Sequence, residues 1–273
     1  MTGNSVTGSS VTGNVVVTGA ASGIGLALAD QLSVSGATVF ALDRRDCPLG
    51  SVHSIVCDLT DPASIGDAVA ALPPDIAGLA NVAGVPGTAA AQTVLTVNLL
   101  GARLLTGQLL PRMAAGTAIV NVASVAAHRN TQSPDAIDEL LRVRDCTDLQ
   151  GWLRDHPVEG PDAYDTSKRA LIDWTQLLSA KLNSHGIRVL SVSPGPVETP
   201  ILADFEASMG TDAMQRSHDA VGRHGYPHEI AAVVAFALSP AASWLNGIDI
   251  PVEGGLFATR AAAKSPVFEG LSI

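Results

Sequence analysis

The chain has 273 residues, 47% apolar and 15% charged, enough for one large α/β domain with an extensive buried fraction. Its net charge of −10 and the lack of any Lys/Arg-rich run exclude a nucleic-acid-binding surface. Three cysteines, Cys47, Cys57 and Cys146, show neither metal-ligand spacing nor a disulfide framework, which predicts free thiols in a reducing, cytoplasmic setting and no metal site.

In chain order, residues 1–13 are small and polar, without the basic start and apolar run of a signal peptide, and predict a disordered tail. A short apolar strand over 15–17 precedes a glycine-rich turn and a helix over 24–34. Buried strands follow at 38–42, ending on Asp43, and at 54–57, then a helix at 61–72. A fourth strand at 76–82 leads into a long helix over 93–113, and a fifth strand spans 117–122. A helix at 162–183, a strand at 187–192, a helix at 228–238 and a strand at 248–252 complete the order. The apolar run 230–238 is stopped by Pro240 and is too short to span a membrane.

Continuous apolar strands alternating with helices predict a single-domain, doubly wound parallel sheet of the Rossmann type, helices on both faces, over residues 14–258. Residues 259–273 read as a C-terminal extension. Few charges and many alanines imply helices covered on more than one side, which favours a homodimer or homotetramer and leaves a monomer with an Ala-rich core open. One stretch, 128–160, is far longer than the usual connection between a strand and a helix. Within it 134–144 reads as an amphipathic helix, with Ser133 as N-cap and Pro134 at the first helical position, and 148–155 as a second short one. A lid, a subunit contact and a surface elaboration are all open for this insertion.

In such a sheet ligands sit beyond the carboxyl ends of the strands. There the chain places Gly19, Ser22, Gly23, Ile24 and Gly25, a turn that opens a helix directly after a strand. Glycines permit the tight turn and the close approach of backbone to a pyrophosphate at a helix N-terminus. Asp43, eighteen residues after Gly25 at the end of the second strand, suits the two hydroxyls of an adenosine ribose and repels the extra phosphate of NADP. Arg44 and Arg45 beside it pull the other way, so NAD is favoured and NADP stays open.

The glycine turn, Asn81-Val-Ala-Gly84, Asn98, Ser124, Tyr164-Asp-Thr-Ser-Lys168 and Pro194-Gly195 together resemble, in order and spacing, the motif series of the short-chain dehydrogenase/reductase family. The run from His224 to Gly255 resembles in particular the bacterial hydroxysteroid dehydrogenase/carbonyl reductase branch, which includes aryl-alcohol enzymes. The resemblance implies hydride exchange between a nicotinamide and a small alcohol or carbonyl substrate. It implies that Asp58 and Leu59 flank the adenine, Asn81, Ala83 and Gly84 line the adenosine and ribose, and Val197 and Thr199 orient the carboxamide. Lys168 would also hold the nicotinamide ribose, and Asn98 a water beside it.

Tyr164 and Lys168 are four apart and therefore share a helix face. A phenol is too weakly acidic to act as a base at neutral pH, and a nearby ammonium together with the positive nicotinamide favours its ionised form. Tyr164 would then exchange the alcohol proton, while Ser124 binds the substrate oxygen. Val82 departs from the family's usual second Asn, which puts one local hydrogen bond in question. Residues 201–226, with Leu202, Phe205, Met209 and Met214, would cover an apolar substrate pocket, and His128 reads as a surface histidine. An epimerase or dehydratase on the same fold, and a nucleotide sensor that has lost its chemistry, are the competing classes. The short segment after Gly254 disfavours the first, and retention of both Tyr164 and Lys168 disfavours the second.

Overall fold

A computed structural model describes residues 10–265. Seven parallel strands form one sheet: β1 (Gly13–Thr18), β2 (Ala37–Asp43), β3 (His53–Val56), β4 (Ile76–Asn81), β5 (Met113–Val122), β6 (Arg188–Pro194) and β7 (Asp249–Val252). Their order is β3-β2-β1-β4-β5-β6-β7, so the winding reverses between β1 and β4 and opens a crevice at their carboxyl ends.

Alternation along β1 shows how the sheet acquires two buried faces. Val15 and Val17 point to one side, where α1 (Gly23–Val34) and α10 (Pro227–Leu238) cover them with Leu28, Leu32, Ile230 and Val234. Val16 points to the other, against α2 (Pro62–Ala71), α4 (Ala102–Leu109) and α7 (Gly160–Leu182), through Ile65, Leu105, Leu109 and Leu178. All three valines of β1 are fully buried, which is why these strands read as unbroken apolar runs. Helix α2 starts where Asp61 accepts from the Ala63 N–H, with Pro62 behind it.

A third apolar cluster lies beyond the strand ends. It joins α3 (Ala91–Leu95), α5 (Pro134–Arg142), α6 (Cys146–Asp155) and the first half of α7. The two insertion helices bury Ile137, Leu140, Leu149 and Trp152 there, and the Trp152 indole donates to the Ala136 carbonyl at 2.9 Å. Ser133 caps α5 through the Ala136 N–H, as its position before Pro134 predicts.

Two expectations need correcting. The helix expected over 93–113 is interrupted: α3 passes into a π-helical turn, Thr96–Gly101, before α4 begins, and a 3₁₀ turn, Leu110–Arg112, ends it. The π turn carries Asn98, whose side chain is engaged away from its own helix. Within the expected tail, residues 1–9 lie outside the described residues. Val11, however, is buried in the core and β1 starts at Gly13, because an apolar side chain there has a place under the sheet. The segment Ala91–Arg112 is apolar and long enough to cross a membrane by composition, yet it packs into this core.

Candidate active site

One cavity of about 720 Å³ runs along the carboxyl ends of β1, β2, β4, β5 and β6. Its size is that of a ligand pocket. At one end lies the turn after β1. Gly19 and Gly23 adopt φ of +68° and +55°, and a Cβ on Gly25 would stand 2.2 Å from the Gly19 carbonyl oxygen. Only glycine permits this turn, which brings the Ser22–Gly25 backbone to the cavity wall at the N-terminus of α1. These are the features a pyrophosphate requires, so the residues present fit a dinucleotide.

Asp43 ends β2 on the same wall, its two oxygens accepting from the Ala21 and Arg45 N–H groups, each at 3.1 Å. A carboxylate keeps further lone pairs for ribose hydroxyls. Arg44 and Arg45 also reach the cavity. The Asp58 carboxyl is held below its usual range, first by the Thr60 N–H and then by the Thr60 hydroxyl and Arg44. Leu59 sits beside it, buried and lining the cavity. Across the crevice, Thr18 Oγ1 accepts from both Val82 N (2.9 Å) and Ala83 N (3.0 Å). Backbone makes this link, so Val82 in place of Asn leaves it intact.

Asn81 is the exception among the residues assigned to the cofactor. Its side chain is 3% exposed and turns away from the cavity, donating to Thr106 Oγ1 (3.1 Å) and Asn121 Oδ1 (2.8 Å). Asn121 in turn donates to Thr175 on α7. The motif position therefore builds a buried polar network that ties β4, β5, α4 and α7 together, and Ala83 and Gly84 alone of the three line the cavity.

At the other end, Ser124 follows β5 and caps the 3₁₀ turn Val125–Arg129 through the Ala126 N–H. Its hydroxyl lies beside the Tyr164 phenol on α7 and favours the ionised phenol. Lys168, one helical turn further, donates from Nζ to the Val122 carbonyl at 2.9 Å and lies 5.6 Å from the Tyr164 ring centre. All three face one cavity wall. Burial pushes the phenol above its ordinary range and outweighs the opposing Ser124 hydroxyl; Asp165 adds to the rise and Arg129 opposes it. The Lys168 ammonium is pushed down by burial to about 8. Protein burial, rather than the lysine, thus dominates the proton affinity of the phenol.

Asn98 stands behind this wall, 1% exposed. Its Oδ1 accepts from Val85 N at 2.8 Å, and its Nδ2 donates to Val85 O and to Ser167 Oγ, both at 3.1 Å. It fixes the strand-end loop and the residue before Lys168, so it acts through its neighbours. A Cβ on Gly84 would lie 3.3 Å from Asn98 Oδ1 and 3.4 Å from Lys168 Nζ, which explains a small residue there.

Pro194, Gly195 and Val197 line the floor, with Gly195 N donating to Val252 O at 3.0 Å. Thr199 lies against the glycine turn, its methyl 3.3 Å from where a Cβ on Gly23 would be. The roof comes from α8 (Leu202–Met209), α9 (Thr211–Val221) and α11 (Leu256–Ala262). Its apolar groups include Leu202, Phe205, Met214, Leu256 and Phe257, and Phe205 meets the Tyr164 ring edge-on at 5.1 Å. The side chain of Met209 lies outside those described.

A family model described as "short chain dehydrogenase" matches residues 13–134, and one described as "Enoyl-(Acyl carrier protein) reductase" matches 154–257. Coniferyl-alcohol dehydrogenase of Pseudomonas sp. strain HR199 is 40% identical, over 90% of this chain and 96% of that protein. The chain belongs to the short-chain dehydrogenase/reductase family. It is an NAD(P)-dependent oxidoreductase. The 3-alpha-hydroxysteroid dehydrogenase/carbonyl reductase of Comamonas testosteroni is 29% identical, over 89% of this chain and 96% of its own. The crystal structure of 3-alpha-hydroxysteroid dehydrogenase from Pseudomonas sp. B-0831 complexed with NADH superposes with a TM-score of 0.78 at 30% identity, over 92% of this chain and 99% of that one.

Three features of this dehydrogenase/reductase escape sequence reasoning. His128 is exposed, as expected, yet it lines the cavity and meets the Phe257 ring edge-on at 4.9 Å. Helix α11 contributes Leu256, Phe257 and Arg260 to the cavity, although nothing in its composition marks it as a pocket wall. Beyond Arg129 no residue of the insertion lines the cavity. Among the described residues, no group of three His, Cys, Asp or Glu side chains is placed to hold a metal ion.

Proposed function

We propose that this enzyme uses NAD(H), rather than NADP(H), to interconvert a secondary or aryl alcohol and its carbonyl, with Tyr164 as general acid/base. The observation that carries the reading is the convergence of Ser124, Tyr164 and Lys168 on one wall of a cavity whose far end is the glycine turn with Asp43. The dinucleotide, when bound, supplies the nicotinamide that exchanges hydride with the substrate carbon.

The protein residues do the rest. The turn from Gly19 to Gly25 holds the pyrophosphate and Asp43 the adenosine ribose; Asp58, Leu59, Ala83 and Gly84 flank the adenosine, and Val197 and Thr199 the nicotinamide end. Lys168, kept in place by the Val122 carbonyl, holds the other ribose and lends positive charge beside Tyr164. Ser124 donates to the substrate oxygen as negative charge develops on it, and Tyr164 Oη exchanges the proton. Burial keeps the phenol protonated, and the positive charge that oxidised NAD would bring beside Tyr164 would oppose that burial. The asparagine Asn98 keeps Val85 and Ser167, and through them Lys168, in register.

The apolar roof of Leu202, Phe205, Met214 and Phe257 favours a hydrophobic, aromatic or hydroxysteroid-like substrate, in line with the alcohol named for the Pseudomonas relative. The arginine pair Arg44 and Arg45 on the cavity wall favours a second reading, an NADP-preferring carbonyl reductase. Two measurements test the proposal: NADH formation from a panel of aryl, steroid and aliphatic alcohols, and competitive titration of NADH against NADPH. The first arm expects aryl or steroid alcohols to lead the panel; dominance of small aliphatic polyols refutes the substrate reading. The second expects NADH to bind at least about tenfold tighter, worth about 1.4 kcal/mol. The opposite order establishes the second reading. The enzyme is proposed to act in the cytoplasm as a homodimer or homotetramer. Trp244, 98% exposed between α10 and β7, with Phe236 and Ile248 exposed nearby, supports self-association there.

A further inference from the structure

Arg129 and Asp165 form an ion pair that none of the chemistry above uses. Arg129 Nε donates to Asp165 Oδ2 at 2.9 Å and Nη2 to Oδ1 at 2.8 Å, a two-pronged match of guanidinium to carboxylate. Asp165 is 4% exposed, whereas Arg129 is 47% exposed and lines the cavity. Asp165 follows Tyr164 on α7, and Arg129 closes the 3₁₀ turn that Ser124 caps. The pair therefore bridges the two segments that carry Ser124 and Tyr164. A second bond, Thr166 Oγ1 to Asn130 Oδ1 at 3.0 Å, runs beside it.

With Asp165 buried and Arg129 half-exposed, solvent screening and the desolvation of the carboxylate offset much of the attraction, so the pair adds little net stability and its presence at this junction calls for another reason. We infer that Arg129 and Asp165 are positioning residues: paired, they hold the Ser124 hydroxyl against the Tyr164 phenol, and by cancelling each other's charge they set how readily the phenol releases its proton. The inference rests on Tyr164 being the acid/base. The charged and titratable groups around the phenol are the Ser124 hydroxyl and Arg129 on the turn after β5, and Asp162, Asp165 and Lys168 on α7. His128, Asp204 on α8, Arg216 on α9 and Arg260 on α11 line the same cavity. Of these, the two members of the pair act on the phenol in opposite directions, Asp165 strengthening its hold on the proton and Arg129 weakening it.

The test compares wild type, Asp165→Asn and the double variant Arg129→Met/Asp165→Asn in alcohol oxidation across pH. In Asp165→Asn the carboxylate that strengthens the phenol's hold on its proton is gone, so the acid limb of kcat/KM moves to lower pH by about half a unit or more. In the same variant kcat falls about tenfold and KM for NAD stays within about twofold, since the distorted junction lies away from the nucleotide. In the double variant both charges are gone: the limb returns to within about 0.2 unit of wild type, while kcat stays low. The chain has two tyrosines, Tyr164 and Tyr226, so in a Tyr226→Phe background the phenolate absorbance titrates Tyr164 alone and must follow the same limbs.

An Asp165→Asn limb that coincides with wild type overturns the inference, as does a double variant that keeps the shifted limb. If Asp165→Asn does not fold, the double variant decides: low kcat at a wild-type limb supports the pair's role, and wild-type kcat assigns it to folding alone. Tyr164→Phe separates the two readings. Retained turnover there discards the acid/base assignment itself, whereas lost turnover with an unmoved Asp165→Asn limb discards only the role of the pair.

Discussion

Lys168→Met should make the cofactor-free protein more stable at neutral pH while removing its activity. Lys168 is 3% exposed, its one described hydrogen bond runs to the Val122 carbonyl, and burial holds its ammonium at about 8 rather than 10.5. At about 1.4 kcal/mol per tenfold change in proton affinity, keeping this cation buried costs about 3 kcal/mol below pH 8. Loss of the Val122 hydrogen bond gives back about 1 kcal/mol, leaving a net gain of about 2 kcal/mol for the methionine variant. The sign follows from proton uptake. Between about 8 and 10.5 the unfolded lysine binds a proton that the folded one does not, so this group makes wild type more stable as pH rises through that window. The advantage of Lys168→Met is therefore full below pH 8 and gone above pH 10.5. Urea titrations at neutral pH and at pH 10.5, read by tryptophan fluorescence, measure both ends. A variant less stable than wild type at neutral pH, or a difference that does not change with pH, refutes the reasoning. Buried functional cations of this kind trade stability for chemistry.

Three further outcomes are expected. Gly25→Ala sets a Cβ 2.2 Å from the Gly19 carbonyl oxygen, so the turn must open; NADH affinity should fall at least about tenfold in a fluorescence titration, and unchanged affinity argues against a pyrophosphate there. Arg188 donates to the carbonyls of Ala237, Leu238 and Ser239 at the end of α10, all within 3.2 Å; Arg188→Met should cost about 2–4 kcal/mol in urea denaturation, and a loss under about 1 kcal/mol would show those carbonyls find other partners. Trp244→Glu should reduce the mass seen by light scattering at micromolar protein to that of a smaller assembly, and an unchanged mass excludes the α10–β7 surface as a subunit contact.

Much of the fold is legible in the sequence because its signals are local and repeated. The apolar strands, the Gly19–Gly25 turn and the Asp43 strand end each announce a buried parallel strand or a strand-to-helix turn, and together they imply where the crevice lies. Ser133-Pro134 locates the start of α5 for the same reason. What fails to show is whatever depends on where a side chain points after packing. Asn81 sits in a motif that reads as a cofactor contact, but its amide nitrogen donates to Thr106 and Asn121, partners 25 and 40 residues away. The π turn around Asn98 is invisible because the apolar periodicity continues straight through it. His128 and Phe257 meet across more than a hundred residues of chain. Asp165 lies within the Tyr164–Lys168 motif, and nothing in the sequence pairs it with Arg129, 36 residues away.

Tyr164 is proposed to exchange the proton in a nicotinamide-linked reaction. Tyr164→Phe tests it most directly, since the ring still packs on Phe205 and only the hydroxyl is lost. With the substrate that leads the alcohol panel, turnover should fall by about a thousandfold or more while NADH binds within about threefold of wild type. Turnover within about tenfold of wild type would contradict it.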